Sequence, residues 1–323
     1  MTDKFVNCYF NEDCITGCQR HIPDDSIDLI VTDPPYGIKG DTLHKHYNRD
    51  EKHVIDGYVE IPLGEYGDFS QQWISQAERI LRPGGSIYIV SGYTNLFYIL
   101  KALRQTDLEE MNHIIWKYNF GVYTKKKYVS SHYHILYYVK PGGPRTFNTF
   151  ARYGAKEKDV DGGSINYQDR EDVWIINREY KPGKKKNKNE LPTELLKKII
   201  RYSSNAGDIV CDLFLGSFST AKVARGLNRN ATGFEKSTEA CNYQIQQMEQ
   251  LSPGFLMNDI REPEHSPPSN QGKPWTEEEL SQLEQRYAEL RTDSKTKKES
   301  IDILGKEFGR GYFGILNKIN QFD

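Results

Sequence analysis

Along the chain, short apolar runs alternate with segments whose apolar positions recur at helical spacing. Residues 5–10 read as a short strand, and residues 27–32 (IDLIVT) as a buried one. Residues 69–81 have helical spacing, stopped by Arg82-Pro83-Gly84-Gly85, a turn that leads into an apolar strand over 86–90. Residues 114–118 and 132–139 read as further strands, the second ending at Pro141-Gly142-Gly143-Pro144. Helical pattern resumes over 192–203. A strand over 208–213, a Gly/Ser turn, a helix over 220–227, a strand over 231–235 and a helix through Met248 follow. Strands alternating with helices predict a mainly parallel sheet covered on both faces.

Elsewhere the pattern weakens. Residues 37–68 are polar and rich in Gly and His; a loop of that length in a compact domain suits a lid or binding loop. From 145 to 188 periodicity fades and charge rises, closing on Lys184-Lys185-Lys186-Asn187-Lys188. Residues 266–272 are a linker by composition. Thr276 and Glu279 then have capping-box spacing. Leu280, Leu283, Tyr287 and Leu290 repeat at helical spacing, as do Ile301, Leu304 and Phe308, then Ile315, Leu316 and Ile319. Residues 273–323 therefore read as a small three-helix module.

Length and charge sharpen this picture. With 323 residues the chain has room for one large α/β domain and a smaller module. Its net charge of −2 argues against a polyanionic partner, yet residues 101–201 hold 21 Lys and Arg against 12 Asp and Glu. Charge segregated in this way suits one basic face held against phosphates, with Lys125-Lys126-Lys127 and Lys184-Lys185-Lys186 as its densest runs. The 21 Tyr and 14 Phe supply core and, potentially, rings for stacking on bases. Five cysteines, with Cys14 and Cys18 spaced CxxxC and no second pair nearby, read as reduced thiols rather than a zinc site. Neither a membrane span nor a secretory signal is evident, so a cytoplasmic protein, nucleoid-associated when bound to DNA, is expected.

Two segments carry chemistry. In an open parallel sheet ligands bind beyond the carboxyl ends of strands, and Asp33-Pro34-Pro35-Tyr36 stands at one. Two prolines fix φ and remove two backbone donors, leaving rigid carbonyls directed at whatever occupies the site. An aromatic amino group needs that arrangement, because its lone pair is delocalised into the ring. A carboxylate and a carbonyl accepting its two N–H bonds favour a pyramidal nitrogen with the lone pair free to attack. The bland alternative for these four residues is a simple turn. The second segment, Asp212 to Thr220 (DLFLGSFST), is a strand, a glycine turn and a helix start, which admits a ligand close to the backbone. Glu235 ends the next strand, where an acidic residue meets ribose hydroxyls in nucleoside-binding sheets.

Together with Leu81-Arg82-Pro83-Gly84-Gly85, Pro192-Thr193 and Gly233-Phe234-Glu235, these residues resemble the beta group of amino-specific DNA methyltransferases over about residues 3–250. In that order the catalytic motif precedes the cofactor motif. The resemblance implies a Rossmann-like, S-adenosylmethionine-dependent fold with a mixed, mostly parallel, seven-stranded sheet. It divides the chain into a catalytic half (1–140), a target-recognition region (141–190), a cofactor half (191–260), a linker (261–272) and the helical module (273–323). It implies a catalytic set of Asp33, Pro34, Pro35 and Tyr36, in which Asp33 and Pro34 hold an amino group and Tyr36 stacks on a flipped-out base. The implied cofactor set is Asp13, Asp33, Asp212, Phe214, Gly216, Ser217 and Glu235, with Glu235 at the ribose and Asp13 at the adenine; no metal is required. In this superfamily an aspartate at the first motif position goes with adenine N6, a serine with cytosine N4. The implied partner is double-stranded DNA, and a homodimer and a cognate restriction endonuclease fit the same resemblance. Leu213 and Phe218 depart from it, standing where proline and a second glycine are usual, so Phe218 is expected to crowd the ligand unless the turn is reshaped. Asn187-Lys188-Asn189-Glu190-Leu191-Pro192 likewise departs from the usual HPTQKP. The C-terminal module resembles a Myb/SANT-like fold through Trp275 and Phe308-Gly309-Arg310. Rival readings are a cytosine-N4 enzyme, an RNA or protein-glutamine methyltransferase with an N-P-P-Y site, and a DNA-binding protein with an inactive fold.

Overall fold

The computed structural model describes residues 4–35, 37, 61–119, 121, 123, 125–179, 190–263, 268–270 and 272–322. Most of the expected loop over 37–68, Tyr36 and Lys184-Lys185-Lys186 lie outside them. The chain divides into two compact units, Met1–Arg152 with Tyr167–Arg261, and Tyr153–Asn166 with Glu262–Asp323.

The large unit is built on strands β1 (Tyr9–Phe10), β2 (Ile27–Thr32), β3 (Leu81–Ser91), β4 (Glu109–Lys117), β5 (His132–Val139), β6 (Val173–Ile175), β7 (Ile209–Asp212) and β8 (Asn230–Phe234). Its helices are α1 (Cys14–His21), α2 (Tyr66–Ile80), α3 (Leu96–Leu103), α5 (Thr193–Ser203), α6 (Ser219–Gly226) and α7 (Thr238–Glu249); the single turn α4 (Ile165–Gln168) straddles the two units. The strand order is β1-β8-β7-β2-β3-β5-β4-β6. All neighbours pair parallel except β5, which is antiparallel to β3 and β4.

Central strand β2 shows why its sequence reads as an unbroken apolar run. Ile27, Leu29, Ile30 and Val31 are all fully buried, because helices cover both faces of the sheet. Leu29 and Val31, with Tyr88, Val90, Ile135 and Tyr137, pack against Leu195 and Ile199 of α5, Ala221 and Ala224 of α6 and Cys241 of α7. Ile27 and Ile30, with Ile87, Ile89, Leu136 and Tyr138, pack against Cys14 and Cys18 of α1, Trp73 and Ala77 of α2 and Ile99 of α3.

The sheet departs from the sequence reading in three places. It has eight described strands rather than seven. The extra one, β6, pairs with Ile115–Lys117 and is pinned by two contacts that no periodicity reveals. Trp116 Nε1 donates to the Ile176 carbonyl (2.8 Å), and the buried Lys198 ammonium lies 4.3 Å from the Trp174 ring centroid. The Arg82–Gly85 segment does not precede its strand. Leu81 already pairs with Ile27, and the next paired positions are Leu29 and Ser86, so the Pro-Gly-Gly segment is a bulge. Gly84, at φ +79°, lies so close to the Pro144 carbonyl that a Cβ would come within 2.3 Å. The strand expected over residues 5–10 is confined to Tyr9–Phe10, because Asn7 takes a positive φ of 57° and breaks the extension.

The small unit contains α8 (Glu277–Thr292), α9 (Lys297–Glu307) and α10 (Tyr312–Ile319) around Leu283, Tyr287, Leu290, Ile301, Leu304, Ile315 and Ile319. Capping boxes Thr276/Glu279 and Thr296/Glu299 start the first two helices, satisfying backbone donors that would otherwise lack partners. Arg310, nearly buried, lies 4.4 Å over the Trp275 ring and donates to Glu279 (2.9 Å).

Close approach of β7 and β8 sets the geometry of the ligand-facing edge. Gly233 pairs with Asp212, and a Cβ there would lie 2.1 Å from the Asp212 carbonyl oxygen. Gly233→Ala should therefore cost about 2 kcal/mol or more, because backbone on both sides has to move. Denaturant unfolding checks this; an unchanged midpoint contradicts it.

Candidate active site

The order in which strands are added to the sheet reverses between the parallel neighbours β2 and β7. From β7 the chain passes through α6 to β8, and from β2 it passes through α2 to β3 on the other side. Helices α6 and α2 cover opposite faces, so a crevice opens at the carboxyl ends of β2 and β7. The two chemically distinctive segments leave the sheet at this point. Leu29 pairs with Val210 and Ile30 with Cys211, which brings Asp33 level with the turn after Asp212.

A hydrogen bond joins the two segments. Thr32 Oγ1 donates to Asp212 Oδ1 (3.0 Å), and the same oxygen accepts from the Phe214 backbone N–H (3.0 Å). Asp212 is buried, and burial pushes its carboxyl up to about 6. The Phe214 N–H and the Thr220 and Thr32 hydroxyls hold it down, while the Glu235 charge adds to the rise. The acid's role in the fold is thus to organise a turn and bind a neighbouring strand.

The turn is reshaped, the alternative that the sequence left open for Phe218. Gly216 adopts φ +51°. Phe218 also takes a left-handed conformation (φ 59°, ψ 25°), which swings its ring out of the turn and into the core. There it packs 5.1 Å from Tyr9, so it does not crowd the crevice. Leu213 is buried on the opposite face. Phe214 is partly buried and set edge-on against Trp73 (5.5 Å). Ser217 and Ser219 hydroxyls are 2.6 Å apart, and Lys222 Nζ donates to the Ser217 carbonyl (2.8 Å) and Gln244 (2.6 Å). Glu235 closes the turn. One carboxylate oxygen accepts from Gly216 N–H (2.9 Å) and the other from Ser237 N–H (2.7 Å), and burial raises its pKa. The Lys236 N–H also bears on this carboxylate, and of its four lone-pair positions at least one remains for a ligand hydroxyl.

Asp33 is half-buried and Pro34 buried. The Pro35 carbonyl is already engaged, accepting from the Tyr66 hydroxyl (2.7 Å). Asp13 caps α1 through the Ile15 N–H (2.9 Å), with Lys236 Nζ 3.5 Å from its other oxygen. Asp13 and Glu235 thus lie at the ends of β1 and β8, which pair with each other. Lys125, Lys126 and Lys127 are exposed on the connection between β4 and β5.

Four residues at the site carry no motif of their own: Thr32, Tyr66, Lys222 and Glu190, whose carboxylate accepts from Ser219 Oγ (3.1 Å). Glu190 reaches the turn from the segment that departs from HPTQKP. Only its acidity beside a lone proline hinted at such a contact. Among the described residues no group of three or more His, Cys, Asp or Glu is placed to hold a metal ion, and no helix is long and apolar enough to cross a membrane.

An open α/β sheet with an acid-proline-proline segment and a glycine turn at its switch point defines a nucleotide-cofactor-binding class of fold. The DNA methylase family model (N6_N4_Mtase) matches residues 27–247, and the chain belongs to this family. The Type II methyltransferase M.BamHI of Bacillus amyloliquefaciens is 32% identical over 242 residues, which are 70% of this chain and 53% of that protein. The chain thus spans about half the length of that relative. The M1.HpyAVI–SAM complex shares the fold with a TM-score of 0.52 and 22% identity, covering 74% of this chain and 98% of that one. PvuII DNA methyltransferase (cytosine-N4-specific) gives 0.55 and 15%, covering 79% and 93%.

The Asp212 shift gives a prediction. Its proton is held more tightly in the folded than in the unfolded chain, so its contribution to stability is complete below the ordinary value of 3.8 and lost as pH rises through about 6. Asp212→Asn keeps an acceptor for Thr32 and Phe214 but cannot ionise. Its stability relative to wild type should rise by up to about 3 kcal/mol from pH ~4 to ~7. Parallel pH profiles in urea unfolding contradict this.

Proposed function

We propose that this chain transfers a methyl group from S-adenosylmethionine to the exocyclic N6 amino group of an adenine flipped out of double-stranded DNA. What supports the reading is the Thr32–Asp212 hydrogen bond, which sets the Asp33-Pro34 segment beside the Phe214–Ser217 turn. The aspartate at the first motif position favours adenine over cytosine. The residues present fit the cofactor. A positive-φ glycine removes bulk at the turn, Phe214 offers an aromatic wall, and Glu235 and Asp13 offer carboxylate acceptors for ribose and adenine.

When bound, the cofactor supplies a methyl group on a sulfonium, electrophilic without a metal. The chain's own residues prepare the nucleophile. Asp33 and the Pro34 carbonyl accept the two N–H bonds, drawing the amino nitrogen toward a pyramidal shape with its lone pair directed at the methyl carbon. Phe214, Gly216, Ser217 and Glu235 would hold the cofactor so that the methyl it supplies, leaving without its bonding electrons, is within reach of that lone pair. Once methylated, the nitrogen would give up one proton to solvent, leaving the neutral methylamine. Tyr36 stacks on the base.

Lys125-Lys126-Lys127 and Lys184-Lys185-Lys186 contact phosphates, positioning the duplex without reading it. Residues 141–190 select the sequence, with the loop over 37–68 as the second candidate for that role.

Incubating the protein with labelled cofactor and duplex DNA, then separating nucleosides by mass, tests the reading; N6-methyladenine is expected. N4-methylcytosine supports the rival base, and bound cofactor without transfer to DNA supports an inactive fold. Asp33→Ala should slow transfer by on the order of a hundredfold to a thousandfold; full activity contradicts the assigned role. Replacing Lys125, Lys126 and Lys127 by Ala should weaken binding to all duplexes alike and reduce the salt slope by about 2–3. A change in preferred site instead contradicts the phosphate role.

A further inference from the structure

The carboxyl-terminal rim of β2 is held by a tyrosine from the far side of the long polar segment. Tyr66 opens α2 and is 1% exposed, yet its hydroxyl reaches the Pro35 carbonyl oxygen at 2.7 Å. Its ring fixes the next turn of chain as well. Gly37 crosses it at φ +60°, where a Cβ would lie 2.5 Å from Tyr66 Cδ2 and 2.8 Å from the buried Asn95 amide. The ring is held in turn by Tyr98 (6.0 Å, edge-on) and by Phe69 (6.2 Å), and Phe69 packs on Phe214 of the Gly216 turn (5.9 Å).

Proline fixes φ but leaves ψ free. At Pro34 the ring of the following Pro35 confines ψ to extended values, so that carbonyl is set locally; at Pro35 ψ stays open, and something else must set it. At Pro35 the setting group is the Tyr66 hydroxyl. Among the described residues nothing donates to the Pro34 carbonyl. Among the described residues, then, the Pro35 carbonyl is engaged by a side chain and the Pro34 carbonyl is not.

We propose that Tyr66 is a positioning residue for methyl transfer, its hydroxyl holding Pro35 so that the Pro34 carbonyl, and not its neighbour, faces the target amino group. This rests on the reading of Asp33 and Pro34 as the amino-group cradle. Tyr66 does not touch the base; it acts through the backbone it fixes. Through Phe69 the same side chain shares a packed cluster with the cofactor turn, so the two halves of the site are referenced to one helix.

Tyr66→Phe keeps the ring, its burial and the contact with Gly37, and removes only the donor. The expected result is a single-turnover methylation rate lower by roughly tenfold to a hundredfold, as small misplacements of reacting groups produce. Cofactor affinity by calorimetry and KM for DNA should change less than about threefold, and the melting temperature by only a few degrees. An unchanged rate, with wild type active in parallel, overturns the proposal and leaves the cradle standing. A rate loss matched by loss of cofactor affinity and melting temperature also overturns it, because a merely structural tyrosine gives that pattern. A wild-type protein that methylates no duplex sinks the cradle and the proposal together. Asn95→Ala, which removes the other wall around Gly37 while sparing the hydroxyl, should slow transfer less than Tyr66→Phe; a larger effect overturns the assignment to the hydroxyl.

Discussion

The site depends on one buried carboxylate at the end of β7. Asp212 accepts from the hydroxyl of Thr32 on one side and from the backbone of its own turn on the other. A charged group at that depth is costly unless its lone pairs are filled. The donors that fill them come from both halves of the site: Thr32 belongs to the strand that ends in Asp33, and Phe214 to the glycine turn. Satisfying one acid therefore fixes the distance between two segments 180 residues apart in sequence. Burial still outweighs these donors, which is why the Asp212 carboxyl stands above the ordinary carboxylate range.

Around that contact, backbone conformation does the shaping. Gly216 and Phe218 both take positive φ, and the second is a strained choice for a bulky residue. The strain is held by packing, since the Phe218 ring is wholly enclosed beside Tyr9. The result is a turn whose amide at Gly216 is tied to Glu235 and whose carbonyl at Ser217 is tied to Lys222. A sequence that departs from the family at two positions of its glycine turn thus arrives at an open crevice by another route.

Much of this was legible in the sequence, for reasons that differ by element. Strand β2 was legible because burial on both faces leaves an unbroken apolar run, and α5 because its apolar positions recur at helical spacing. Asp33-Pro34-Pro35 was legible because proline restricts backbone so strongly that its meaning is nearly local. Helix α3 was not, because Leu96–Leu103 is apolar almost throughout and a short run of that kind has no period to separate helix from strand. Helix α1 carries Gly17 at its centre, a poor helix former retained because a Cβ would meet the Phe234 ring at 2.3 Å. Strand β6 is held by Trp174 and Lys198, a contact between residues 24 apart that no window reveals. The left-handed Phe218 and the reach of Tyr66 to Pro35 are tertiary facts as well. Sequence named the chemical groups, while their orientation came from packing.

The most direct test of the central claim is a crystal structure of the protein with S-adenosylhomocysteine and a duplex containing its target. The account requires the cofactor sulfur beside the Phe214–Ser217 turn and an extrahelical adenine whose amino nitrogen lies within about 3 Å of both Asp33 and the Pro34 carbonyl. A cofactor seated away from Gly216, or a base held by other groups with Asp33 turned aside, contradicts it.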